Sequence, residues 1–202
     1  MINVTKIEQR AVESISQKVL HRITRNRAFS QTDYLKCKLG LEIFLVDFIK
    51  LIVIYTLALV VGLLWQVAIF HVAYVGVKLF AHGAHCKTNL ECTFISCLVL
   101  VGAPAFINSV QLPGASIIFM FFINLAFLWR YAPSATKKNG IGNKRDAKKK
   151  ELRCKAIMTN GIIFLISLLM PLSMSILFMA GALTAGFMTT PLSYKLLRQE
   201  RI

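Results

Sequence analysis

The chain of 202 residues is 56% hydrophobic, carries a formal net charge of +15 and has a mean hydropathy of +0.61. A soluble globular domain of this size does not reach that hydropathy, so an integral membrane protein is expected. The positive charge does not point to nucleic acid: it is concentrated beside apolar runs, where membrane topology and anionic lipid already call for it.

Residues 1–36 form a polar N-terminal segment. Val4, Ile7, Ala11, Ile15, Val19 and Ile23 recur at helical spacing, with Lys6, Arg10, Lys18 and Arg22 beside or opposite them. This pattern predicts an amphipathic interfacial helix, lying in an anionic leaflet or packed against the rest of the protein. The first strongly apolar run begins near residue 39, behind a long charged stretch, which is not the pattern of a secretory signal peptide.

From 37 to 202 the chain reads as one polytopic, all-α membrane domain with about six transmembrane helices. Residues 39–80 are long enough for two spans hinged near Gly62 to Gln66, 92–112 supply a third and 115–131 a slightly short fourth. Residues 156–173 and 175–193 give two more, with Pro171 near their junction. Inside the first span Asp47 and Lys50 are three residues apart, a spacing at which they neutralise each other at depth. Alternatively, Asp47 orients His85.

Lysine and arginine favour the cytoplasmic side. They crowd the N-terminal segment, the connection at 132–155 and the tail at Lys195, Arg198 and Arg201. Four and two spans separate these three regions, so all three can be cytoplasmic, and the same count places the connection after the second span there too. The basic loop at 132–155 also suits an acidic peptide as partner, since Lys144 to Lys155 would steer a negative segment to the membrane surface.

That connection after the second span holds the densest chemistry in the chain: His82, His85, Cys86, Lys87, Asn89, Glu91 and Cys92 within eleven residues. Ionisable groups between apolar spans mark a functional site by default. A cysteine reacts as thiolate, and a nearby imidazole both takes its proton and stabilises the charge, so His85 and Cys92 are the expected pair. Seven residues of unbroken helix would separate them by about 10.5 Å along the axis, too far for a hydrogen bond, so the helix must break between them. Thr88 and Glu91 form a predicted capping box, which starts a new helix and puts Cys92 in its first turn. His82, His85, Cys86 and Cys92 have the donor types of a zinc site, but their irregular intervals argue against one, and no metal is expected. Cys97 reads as a small buried apolar residue, and Cys37 and Cys154 as inert juxtamembrane thiols.

The segment Ala81-His-Gly-Ala-His-Cys-Lys-Thr-Asn-Leu-Glu-Cys92 resembles the signature of the accessory gene regulator B (AgrB) family, the membrane endopeptidases of staphylococcal-type quorum sensing. Ala132-Pro-Ser-Ala-Thr-Lys-Lys138 resembles the start of that family's basic loop, and the stretch opening at Leu39-Gly40-Leu41 resembles its first span. The resemblance implies a bacterial cell-membrane cysteine endopeptidase, without cofactor, that removes the C-terminal part of a small pro-peptide. Its thioester intermediate then leads to a cyclic thiolactone. Carried over by position, Cys92 matches the nucleophile and His85 the general base, and a homodimer is implied. Lys78 stands where some members have arginine; it keeps the charge that would bind a carboxylate but lacks the bidentate fork. Lys87 and Asn89 are further candidates to steady an oxyanion. A non-enzymatic membrane scaffold or peptide exporter would share the spans and basic loops without needing Cys92, and a metal-dependent hydrolase would need His82 and Cys86 as much as His85.

Overall fold

The computed structural model describes residues 12–22, 30–84, 86, 88–110, 112–134 and 145–197. Among these the secondary structure is helical, without strands: α1 (12–22), α2 (Gln31–Val60), α3 (Leu64–Ala81), α4 (Asn89–Cys97), a π-helical turn (Leu98–Gly102), α5 (Ala103–Ser109), α6 (Ala115–Tyr131), α7 (Asp146–Ser167), α8 (Leu172–Phe187) and α9 (Pro191–Leu196).

Local sequence explains where each helix starts and stops. Ser30 caps α2 by accepting the Asp33 N–H, one of the amides a first turn leaves without a helical partner. Gly62, at φ 75°, turns the chain from α2 into α3, close to the expected hinge. The third span is continuous from Asn89 to Ser109, and its π turn directly precedes Pro104. Proline lacks an N–H and its ring crowds the carbonyl one turn back, which the wider π register relieves. Leu168 to Pro171 separate α7 from α8, so the last junction lies a few residues before the expected 173–175, at the proline itself.

Three helices, Gln31–Val60, Leu64–Ala81 and Asn89–Ser109, are long and apolar enough to cross a bilayer, and Ala115–Tyr131 and Leu172–Phe187 are shorter apolar helices. The remaining expected span, from residue 156, is the second half of α7, whose first half is charged. There Glu151 accepts from Lys148 and Lys155 at 3.0 and 2.6 Å, and Lys155 and Lys148 hold its carboxyl down at about 2. These pairs offset the repulsion among the lysines of that turn.

Helix α8 is the centre of the molecule, with nearly every residue from Ser175 to Gly186 buried. Small residues make this possible. A Cβ on Gly181 would collide with the Phe70 carbonyl of α3, and one on Gly186 with the Asn124 amide of α6. Apolar lipid supplies no hydrophobic drive between helices, so close backbone approach and buried polar pairs hold them. Asn124 donates to Asn160 of α7 at 2.7 Å, with both residues buried. Large apolar side chains such as Phe44, Trp65, Leu79, Phe119 and Leu165 point outward, where a lipid solvent receives them.

The amphipathic expectation for the N-terminal helix requires a correction of face. Val12, Ser16 and Leu20 are buried, whereas Ile15 and Val19 of the expected stripe are 49% and 36% exposed. Polar contacts decide this. Ser16 donates to Glu42 of α2 at 3.3 Å, and Lys38 of α2 donates to Glu13 at 2.9 Å. Helix α1 therefore rests on the start of α2, leaving Ile15 and Val19 free to meet lipid. Val4, Ile7, Ala11 and Ile23 lie outside the described residues.

Two glycines test the packing account. Gly181→Ala should lower the melting temperature in detergent by obstructing the α3–α8 contact. Gly161→Ala in α7, with open space around the added carbon, should leave it unchanged or slightly raised, because alanine loses less conformational freedom in a helix.

Candidate active site

The site forms where α3 ends and α4 begins. His82, with φ 57°, and Gly83, with φ 127°, turn the chain out of α3. Gly83 lies against the Met188 carbonyl so closely that a Cβ would stand 2.8 Å from its oxygen, and the next amide, Ala84 N–H, donates to that oxygen at 2.8 Å. From the other side Ser134 N–H donates to the Ala81 carbonyl at 3.0 Å. The Ser134 hydroxyl donates to the Thr189 carbonyl and accepts from Tyr194. The motif opening at Ala132 is thus a brace for the connection. Arg153, one of the basic residues after α6, donates to the Ala132 carbonyl at 2.7 Å, satisfying the frayed end of α6.

Helix α4 starts with the expected capping box. Glu91 N–H donates to the Thr88 hydroxyl at 3.2 Å, and Thr88 N–H donates to the Glu91 carboxylate at 3.3 Å. Cys92 follows in the first turn, its own N–H closing on the Thr88 carbonyl at 3.1 Å. Turning Glu91 back onto the cap gives its charge a local partner, while the dipole of the longer span favours negative charge at this end.

The half-buried sulfur of Cys92 is surrounded by donors and cations. The buried Cys86 directs both its S–H and its backbone N–H at Cys92, and Lys50 of α2 and Lys78 of α3 act on the same sulfur electrostatically. The hydrogen bond to Cys92, reinforced by burial, pushes the Cys86 thiol well above its ordinary range, so Cys86 stays a proton donor. Lys78 donates to the Tyr74 hydroxyl one turn earlier on α3. Lys50 donates to Asp47 at 3.1 Å, with the lysine side chain 16% exposed and the aspartate 63%, so the ion-pair expectation holds. Tyr74, Lys78, Ala84, Cys86, Cys92 and Met188 are among the walls of a cavity of about 40 Å³.

Lys78, expected from the sequence as a binder of carboxylate, lines the same cavity as Cys92. Asn89 is half-buried at the first position of α4, where its carbonyl accepts from Thr93 at 2.9 Å. His85 and Lys87 lie outside the described residues, and with them the alternative pairing of Asp47. Three contributors were absent from the sequence reading in these roles: Cys86 as donor to Cys92, Tyr74 as partner of Lys78, and Lys50 as a cation facing the thiol. Only Tyr74, four residues before Lys78 on one helix face, left a spacing signal.

A family model, accessory gene regulator B, matches residues 16–191, which include all of these elements. The chain belongs to the AgrB family. Relatives include an AgrB-like protein of Listeria monocytogenes, 34% identical over 168 residues that cover 83% of this chain and 81% of that one. Another is the accessory gene regulator protein B of Staphylococcus carnosus, 29% identical and covering 94% of this chain and 95% of that one. The namesake of Staphylococcus intermedius is 26% identical, covering 87% and 92%. No solved structure matches the chain. AgrB membership supports a part in accessory gene regulator quorum sensing, and the apolar helices fit a membrane protein.

The brace around Gly83 yields a prediction. Gly83→Ala places a Cβ against the Met188 carbonyl at a φ that costs side-chain-bearing residues of order 1–3 kcal/mol. Opening of the loop at that cost should raise the alkylation rate of the buried Cys86 in membranes about tenfold or more. An unchanged rate would show that the brace does not hold the loop.

Proposed function

We propose that this protein is a membrane cysteine endopeptidase that cleaves the C-terminal part of a quorum-sensing pro-peptide through an acyl-enzyme thioester and promotes thiolactone cyclisation of the remainder. The observation that carries this reading is the environment of the Cys92 sulfur: a thiol at the first turn of a capped helix, receiving two hydrogen bonds from Cys86 and flanked by two lysines. A structural cysteine in lipid has no use for such surroundings, whereas a nucleophile works as an anion and needs them. The AgrB membership supports the choice of peptide processing over other thiol chemistry.

In this mechanism His85, seven residues before Cys92 in the sequence, takes the Cys92 proton, and the sulfur attacks the scissile carbonyl. The tetrahedral oxyanion collapses, the C–N bond breaks, and the imidazolium gives its proton to the leaving amine of the C-terminal tail. The acyl group remains on Cys92 as a thioester, with its activation retained. A cysteine of the substrate then attacks that carbonyl, forming the thiolactone and returning Cys92 as the leaving thiolate. Water competes at this stage, so the thioester must be shielded from it until the ring closes. Lys78 offers a fixed positive charge to a substrate carboxylate or the oxyanion, with Lys87 and Asn89 as further candidates for the oxyanion. The basic segment from Arg145 to Lys155 draws an acidic pro-peptide to the cytoplasmic surface, with both termini on the same side.

The test is mass analysis of a cognate pro-peptide co-expressed with wild-type protein, Cys92→Ala and His85→Ala at equal membrane abundance. Cys92→Ala should abolish cleavage, and His85→Ala should slow it by roughly 10²–10⁴-fold, as removal of a general base does. Unchanged processing by Cys92→Ala would overturn the proposal and favour a non-enzymatic scaffold or exporter.

A further inference from the structure

Cys86 does more than fill space beside Cys92. It is buried, in the connection outside the helices, while Cys92 is half-buried in the first turn of α4. Both line the same small cavity and are in hydrogen-bond contact, and none of the five cysteines is in a disulfide. A reactive thiol set against a second thiol is the arrangement in which oxidation ends in a disulfide rather than in irreversible acids. Cys86 lies outside the helices and Cys92 inside α4, so a disulfide between them would join the connection to the first turn of that helix.

We propose that Cys86 and Cys92 form a reversible disulfide in response to a small hydroperoxide, with Cys92 the sulfur first oxidised and Cys86 the resolving thiol, and that this linkage switches the site off. The Cys92 thiolate attacks one peroxide oxygen. The O–O bond breaks, two electrons pass from sulfur to the departing oxygen, and hydroxide leaves as Cys92 becomes a sulfenic acid. The Cys86 sulfur then attacks the Cys92 sulfur, its proton joins the departing hydroxyl as water, and the S–S bond forms. Oxidation of Cys92 removes the acceptor that holds the proton on Cys86, so the first step releases the thiol needed for the second. Two electrons from a cellular dithiol restore both sulfurs.

The cavity suits a small oxidant. About 40 Å³ beside the two sulfurs has room for a molecule the size of water or hydrogen peroxide. Lys78 in the cavity wall, with Lys50 acting on the same sulfur through its charge, stabilises the charge that appears on the departing oxygen. In the linked state Cys92 has no thiolate to offer a peptide carbonyl.

The proposal rests on reading Cys92 as the reactive thiol, but its test does not use peptide processing. Membranes holding the wild-type protein are treated with hydrogen peroxide. They are then blocked with an alkylating agent and digested with trypsin, which cuts at Lys87, and chymotrypsin, which cuts at Phe94 between Cys92 and Cys97. Peroxide should give a Cys86–Cys92 cross-linked pair lighter by two hydrogens, with alkylatable Cys92 recovered after dithiothreitol. In Cys86→Ala, and in Cys86→Ser as a second variant, peroxide should carry Cys92 to sulfinic acid that dithiothreitol does not reverse. Wild-type Cys92 overoxidised as readily as in the variants, or linked to Cys97, would overturn the proposal. If Cys92→Ala still processed peptide, the endopeptidase reading would fail while the cross-link result stood on its own.

Discussion

The backbone carbonyl of Met188 is the point on which the site depends. It accepts the Ala84 N–H at 2.8 Å and the Ser193 hydroxyl at 3.0 Å, with Gly83 pressed against it. Near a bilayer, irregular backbone survives only where protein supplies its hydrogen bonds, because lipid supplies none. The connection from α3 to α4 is irregular, and the turn between α8 and α9 provides what it lacks. The C-terminal segment, far from Cys92 in sequence, thereby fixes the distance between the end of α3 and the start of α4.

With that spacing fixed, electrostatics follow from short-range geometry. Lys78 reaches the cavity from the last turn of α3 and Cys86 from the connection, while Lys50, in the middle of α2, acts on the Cys92 sulfur through its charge. Each cation has a polar partner, Tyr74 for Lys78 and Asp47 for Lys50, which lowers the cost of burying an ammonium. The site thus holds positive charge ready for an anionic sulfur. Preorganised charge of this kind acts on an intermediate without reorganisation at the moment of reaction.

Features governed by neighbours in sequence were legible before the structure: the capping box at Thr88 and Glu91, the hinge at Gly62, the Asp47–Lys50 pair and the break between α3 and α4. Each involves residues within one turn or a special φ, so spacing alone specifies it. Features governed by tertiary contact were not. The buried face of α1 includes Ser16, which hydropathy places outside; its hydroxyl is satisfied by Glu13 and Glu42. Cys86 sits in a pattern compatible with a metal ligand, and only the fold reveals its hydrogen bonds to Cys92. The brace from Met188, Ser134 and Tyr194 joins segments about 50 to 100 residues apart, which no periodicity in one sequence encodes.

The central claim is that Cys92 carries the acyl group between cleavage and ring closure. It is tested most directly by mixing purified protein in lipid with a pro-peptide whose internal cysteine is replaced by alanine, quenching in acid and taking the intact mass. The account predicts an adduct equal to the peptide without its C-terminal tail, mapped to Cys92 and released by neutral hydroxylamine. Tail release without any adduct on Cys92 would contradict it.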